Sequence, residues 1–186
     1  MYKNIDTTCV QGGYTAENGG PRQVPIIQST TFKYATSEAM AKLFDLEASG
    51  YFYTRLQNPT NDSVAAKICD MEGGTAAMLT SSGQAANFFA IFNIASNGDH
   101  VVSSSAIYGG SYNLLDQTLP NYGIRTTFVD VHDLAAVEAA VEEKTKAIFI
   151  ETLGNPNSDI PDIDAIAKIA HSHKIPLVID NTFGTP

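Results

Sequence analysis

Asp180 closes the apolar run Ile175-Pro176-Leu177-Val178-Ile179. A carboxylate at the end of a buried strand is costly unless it meets a cation or several hydrogen-bond donors. A protonated pyridine nitrogen is one such cation, and the pairing would keep the ring an electron sink. Asn155, at what reads as the neighbouring strand end, could donate to a ring hydroxyl. A metal ion is the competing partner, but no His or Cys stands at ligand spacing near these ends. His171 and His173 fall late in a helical stretch, where a favourable interaction with the helix dipole accounts for them.

Three further segments have residue types suited to holding an anion or a flat ring. In Thr80-Ser81-Ser82-Gly83-Gln84-Ala85-Ala86 a strand gives way to a helix through Ser-Ser-Gly. The free N–H groups of Gly83 and Gln84 would then point out of the helix end, glycine would admit close approach, and the Ser82 hydroxyl adds a donor. The same residues also suit an ordinary helix cap, since one helix terminus contributes only ~0.3–1 kcal/mol to an anion. In Tyr51-Phe52-Tyr53-Thr54-Arg55-Leu56, Arg55 offers a planar fork matched to phosphate. Tyr53 points the same way if the segment is extended; an aromatic patch beside a surface arginine is the plainer reading. Tyr108, between a strand and a helix, could stack on a flat ring and move protons from its phenol, or simply cap the core.

These residues need a frame, and the text supplies an alternating one. Ala76–Thr80 reads as a short buried strand and Gly83–Ser96 as a helix. His100–Ser104, Arg125–Val131, Ala147–Glu151 and Pro176–Asp180 read as strands, with helices over Gly110–Leu119, Asp133–Glu143 and Ile163–His173 between them. Continuous apolar strands separated by amphipathic helices imply an α/β fold with a parallel sheet covered on both faces. Ligands in such sheets bind at the carboxyl ends of strands, where these polar residues and glycines fall. Upstream the signals thin out. Gly12-Gly13, Gly19-Gly20-Pro21 and Pro25 favour an extended arm, followed by a helix capped by Ser37 and, after a turn and cap at Asn58-Pro59-Thr60-Asn61, a helix from about Ser63 to Met71.

Composition sets the outer bounds. Of 186 residues 44% are hydrophobic and 17% charged, which is globular, and the net charge of −9 opposes binding to nucleic acid. Cys9 and Cys69 are too few for a disulfide framework or a zinc cluster and read as reduced packing residues. No basic-then-apolar leader opens the chain, and its apolar stretches are too short to span a bilayer, so a cytoplasmic protein without a membrane partner is expected. The glycosylation-like Asn61-Asp62-Ser63 reads as chance.

Six pieces recur in one order: Tyr53-Thr54-Arg55 with Asn58-Pro59-Thr60, Glu72-Gly73-Gly74, Ser82-Gly83-Gln84-Ala85-Ala86, Tyr108-Gly109-Gly110, Gly154-Asn155-Pro156, and Val178-Ile179-Asp180-Asn181-Thr182-Phe183. Together they resemble the Cys/Met-metabolism enzymes dependent on pyridoxal 5'-phosphate (PLP), across nearly the whole chain. Pro25-Ile26-Ile27-Gln28-Ser29-Thr30, Ser82-Gly83-Gln84-Ala85-Ala86 and Asn155-Pro156-Asn157-Ser158-Asp159-Ile160 resemble the O-acetylhomoserine sulfhydrylase branch.

The resemblance implies a three-layer, mostly parallel sheet of the aspartate aminotransferase-like, fold type I kind, incomplete here. Residues 1–60 would be an N-terminal arm and intersubunit segment, and 61–186 a PLP-binding large domain. It also implies roles. Ser82, Gly83 and Gln84 would hold the phosphate, and Tyr53 and Arg55 would reach the phosphate of a neighbouring subunit in a homo-oligomer, a dimer of dimers. Tyr108 would stack on the pyridine and help the γ-leaving group depart. Asn155 would meet the ring oxygen, Asp180 the ring nitrogen, and Thr182 would support that face. The family's Schiff-base lysine, in a Ser-x-Thr-Lys motif, and the C-terminal domain are expected beyond Pro186; a separate C-terminal polypeptide is one way to complete the enzyme. The expected reaction turns an O-acetylated homoserine and sulfide into homocysteine and acetate. Methionine γ-lyase and cystathionine γ-synthase or γ-lyase are the alternatives within the family, although Gly110 departs from the cysteine usual in methionine γ-lyases. A non-catalytic PLP-binding or assembly fragment is the alternative outside it.

Overall fold

The computed structural model describes residues 4–186, so the first three residues of the expected arm lie outside it. The chain divides into two compact units, one ending at Leu79 and one over Thr80–Thr185.

The first unit holds more helix than an extended arm would. Helix α1 (Ile5–Gln11) starts where the Asn4 side chain accepts the Asp6 N–H, and the acidic Asp6 suits the positive end of its dipole. Asn4 and Asp6 are the local start signals that the glycine-rich text downstream obscured. Helix α2 (Ser37–Phe44) is capped by Thr36, one residue before the expected Ser37. Helix α3 (Pro59–Met71) begins four residues earlier than its apolar pattern suggests. Asn58 caps it and Pro59 takes the first helical position, where a fixed φ helps and a missing N–H costs nothing. The Lys67 Nζ reaches from α3 to the Cys9 carbonyl of α1 at 3.0 Å.

One expected strand is absent: Ala76–Thr80 forms no ladder, and Met78 is 77% exposed. An apolar run becomes a strand only where a neighbour offers backbone partners, and this run has none among the described residues.

The second unit is a parallel sheet sandwiched by helices. Strands β1 (His100–Ser104), β2 (Arg125–Val129), β3 (Thr145–Glu151) and β4 (Leu177–Asp180) pair in the order β2-β1-β3-β4. Side chains alternate between two cores, as a period of two requires. Val101, Ala147 and Phe149 pack with Ile91, Leu115 and Leu119 on one face. Val102, Ile148 and Ile150 pack with Val137, Ile166 and Ala170 on the other.

The first face is covered by α4 (Gly83–Phe92) and by a helical segment that begins as α5 (Gly109–Asn113). That segment widens to a π turn over Leu114–Thr118, tightens to a 3-10 turn over Leu119–Tyr122, and ends at Gly123 with φ of 76°. Helices α6 (Leu134–Ala140) and α7 (Ile163–Ser172), each capped by an aspartate (Asp133 and Asp162), cover the second face. The chain therefore leaves β1 toward one face and β3 toward the other. Between the carboxyl ends of these adjacent strands lies the crevice that such sheets use for ligands. No helix among the described residues is long and apolar enough to cross a membrane.

Candidate functional site

A cavity of about 400 Å³ opens at that crevice, lined by Gly83, Gln84, Asn87, Tyr108, Glu151, Leu153, Asn155, Asp180, Thr182 and Phe183. Six of these were expected from the sequence: Gly83, Gln84, Tyr108, Asn155, Asp180 and Thr182. Each sits at a strand's carboxyl end, in the loop that follows, or at a helix start, because there the backbone turns away from the sheet and leaves side chains free to converge.

Helix α4 presents its N-terminus to the cavity. Ser82 is the cap, its Oγ accepting the Ala85 N–H at 3.1 Å, which leaves the N–H groups of Gly83 and Gln84 as the unsatisfied donors of the first turn. A Cβ built on Gly83 would meet nothing within 4 Å, so the space above this helix end is open to a ligand. The Gln84 amide turns aside and donates through Nε2 to the Gly110 carbonyl at 3.0 Å. Ser82 itself is outside the cavity lining and serves as the cap.

Asp180 ends β4 with three donors on its carboxylate. Oδ1 accepts from the Thr182 N–H at 3.0 Å and the Thr182 hydroxyl at 2.5 Å, and Oδ2 accepts from Asn87 Nδ2 at 2.8 Å. Burial works against the charge, yet these hydrogen bonds prevail and hold the carboxyl below the usual aspartate range. The result is a half-buried anion, which favours a cationic ligand group.

Glu151 ends β3 beside it and is only 6% exposed. Its Oε1 accepts the Tyr108 N–H at 2.9 Å and its Oε2 the Asn155 N–H at 3.2 Å. One carboxylate thus ties together the loops that carry Tyr108 and Asn155. Burial pushes its pKa up, the Asp180 charge adds to that push, and the two N–H groups oppose it. Tyr108 is 53% exposed, and a Cβ on Gly110 would fall 2.4 Å from its ring Cε1. The ring therefore lies across a position that only glycine leaves clear.

Tyr53 and Arg55 belong to the first unit. The segment turns after Tyr53, whose carbonyl accepts from the N–H groups of Leu56 and Gln57, so the extended geometry that would aim both side chains one way does not hold through Arg55. The side chains meet nonetheless, with the Arg55 guanidinium 5.0 Å from the centre of the Tyr53 ring. Both line a second cavity of about 530 Å³ with Phe32, Phe44, Phe52 and Leu56. Among the described residues no group of three or more His, Cys, Asp or Glu side chains could hold a metal ion.

Asn87 gave no signal that was read in the sequence, and Glu151 was placed there only as a strand end, without a role. Asn87 lies mid-helix, one turn beyond Gly83 and so on the same face, which is the signal that could have found it. Glu151 ends an apolar strand as Asp180 does, and the same cost of a buried carboxylate marks it.

A sequence model of the Cys/Met metabolism PLP-dependent enzymes matches residues 6–186, and the chain belongs to that family. Sulfhydrylase FUB7 of Fusarium oxysporum f. sp. lycopersici is 44% identical over 185 residues, 99% of this chain and 43% of the relative. The O-acetyl-L-homoserine sulfhydrylase of Leptospira meyeri is 42% identical over 182 residues, 97% of this chain and 41% of the relative. A solved Campylobacter jejuni structure, assigned as an O-acetylhomoserine (thiol)-lyase and containing N'-pyridoxyl-lysine-5'-monophosphate, superposes with a TM-score of 0.94 at 39% identity. It is matched over 100% of this chain and 46% of its own. The chain spans less than half the length of these relatives. Their fold is that of the type I PLP enzymes, and the four-stranded parallel sheet is part of it.

The residues present fit that cofactor. PLP brings a phosphate, a flat ring and, when its ring nitrogen is protonated, a cation. The cavity offers an open helix N-terminus above Gly83, an exposed ring at Tyr108 and an anion at Asp180.

Proposed function

We propose that this chain forms the PLP-binding portion of an O-acetylhomoserine sulfhydrylase, which converts O-acetyl-L-homoserine and sulfide to L-homocysteine and acetate. The observation that carries the reading is the single cavity on which the α4 N-terminus, Tyr108, Asn155 and the charged Asp180 converge. The similarity to sulfhydrylases over almost the whole chain supports the choice of reaction.

In this reading the N–H groups of Gly83 and Gln84 hold the phosphate, and the Ser82 hydroxyl, whose oxygen caps α4, donates its proton from the edge of the cavity. Asp180 would keep a proton on the ring nitrogen, because a half-buried carboxylate favours a cationic partner. Thr182 steadies that carboxylate, and Asn155 donates to the ring oxygen. Tyr108 would stack on the ring and would have its phenol near the γ-substituent, where it could supply a proton to the departing group. When bound, PLP supplies an electron sink that makes the substrate's α- and β-protons removable. Residues 61–186 would then be large-domain sequence, and residues 1–60 an arm through which Tyr53 and Arg55 reach the phosphate of a neighbouring subunit.

The test is an assay with O-acetylhomoserine plus sulfide, run beside methionine alone, on material whose polypeptides have been counted by intact-mass measurement. Homocysteine should form in the first reaction. Consumption of methionine alone would replace the sulfhydrylase reading with a γ-lyase one. A single species of this chain with no reducible PLP adduct would favour a non-catalytic fragment.

A further inference from the structure

We propose that Asn87 is a positioning residue for Asp180, selecting which carboxylate oxygen faces the cofactor ring and keeping that oxygen unprotonated. This rests on the reading of the cavity as a PLP site.

The hydrogen bonds around Asp180 are unequal. Oδ1 takes both donors of Thr182, which fills its two lone-pair directions. Oδ2 takes one donor, the Asn87 amide at 2.8 Å, and keeps one lone pair. A ring N–H entering the cavity therefore has Oδ2 as its acceptor, the same oxygen that Asn87 fixes. The amide cannot be reversed at little cost, since its carbonyl would then face an anion. A second contact secures its orientation: Nδ2 also reaches the Oγ of Ser111 in α5, at 3.2 Å. Ser111 is buried, so this anchor is sheltered from competing water.

Asn87 also joins the two ends of the ligand. It stands one turn along α4 from Gly83, on the face that lines the cavity. The helix whose N-terminus is open to the phosphate thus also sets the acceptor for the ring nitrogen. A shift of α4 would move both together. Burial raises the Asp180 pKa and is the largest influence on it, and the Asn87 bond is the largest that opposes it.

The experiment uses the PLP-loaded protein with cofactor labelled with 15N in the ring, and reads the ring-nitrogen chemical shift, which reports its protonation. The wild type should show a protonated nitrogen. Asn87→Leu, close in size, should move the shift toward the unprotonated value and weaken PLP binding about tenfold, the scale of one hydrogen bond to a charged group. Binding of inorganic phosphate alone should stay unchanged, which a general loss of structure would not allow. Asn87→Gln, which keeps the amide, should recover part of the shift. An unchanged 15N shift and affinity in Asn87→Leu would overturn the role of Asn87 if Asp180→Asn does move the shift. If Asp180→Asn also leaves it unmoved, the reading of the cavity as a ring site falls, and the role of Asn87 with it.

Discussion

Glu151 and Asp180 are partners in the β3–β4 ladder, so two carboxylates stand side by side at the carboxyl ends of adjacent strands. Their surroundings drive them apart electrostatically. Glu151, deep in the sheet, is pushed up by burial and by its neighbour's charge. Asp180 meets the Asn87 amide and both donors of Thr182, and is held down although burial opposes it. With three donors on its carboxylate, Asp180 is the better stabilised anion of the two and lines the cavity. Their distinct hydrogen-bond partners also separate their tasks. Asp180 offers a free lone pair to a ligand, and Glu151 holds two backbone loops.

Glu151→Ala should therefore loosen the site through the fold. The N–H groups of Tyr108 and Asn155 would lose their acceptor. A buried donor left unpaired costs about 1–3 kcal/mol. Urea unfolding should show a lower midpoint with an unchanged slope, the sign of lost stability without a change in exposed surface.

Gly83→Ala should separate binding from stability. The added methyl meets no protein atom, and alanine is the better helix former, so the unfolding midpoint should hold or rise slightly. The methyl would occupy the space over the two free N–H groups. A PLP titration should show weaker binding in a protein that is as stable as before.

Gly110→Ala acts on Tyr108. The new Cβ would lie 2.4 Å from ring atom Cε1, so the ring must swing away from its present position. Ring stacking is worth about 0.5–1.5 kcal/mol, so PLP affinity should fall about two- to tenfold. Near-ultraviolet circular dichroism of the unliganded protein should report the moved tyrosine independently.

His100 predicts a pH dependence remote from the cavity, at the amino end of β1. It is 1% exposed, with Nδ1 2.8 Å from the Thr145 hydroxyl and Nε2 2.8 Å from that of Thr127. Burial lowers its pKa below 6.5; Glu142 pulls it up and Arg125 adds to the lowering. A depressed folded-state pKa means the unfolded chain binds the proton first. The stabilisation is complete above the unfolded value and is lost as pH falls from there toward the folded one. Denaturant midpoints measured downward from neutral pH should fall through this window, and His100→Gln should flatten that part of the profile.

The legible parts of this protein were those that depend on neighbours in sequence. Strand β1 falls where its apolar run predicts, and Asp133 caps α6 as an aspartate before an apolar helix should. Glycines and polar residues at strand ends marked most of the cavity lining. Misreadings came where a partner distant in sequence decides the outcome. The apolar residues of Ala76–Thr80 suit a strand, but a strand exists only with a ladder. Helix α3 starts at Pro59 because Asn58 could cap it, which an apolar period cannot reveal.

The sequence by itself determined the class of fold, the family and the residue types gathered at the crevice, because periodicity, caps and motif order are written along the chain. Only the tertiary structure decided which of those residues act on one another. Asn87 and Asp180 are 93 residues apart, and Glu151 faces Asp180 only through the register of two parallel strands. Parallel register is set by packing across helices that intervene in the chain, so no local spacing encodes it. The unequal footing of two neighbouring carboxylates, Asp180 held down by three donors and Glu151 pushed up by burial, follows from that packing.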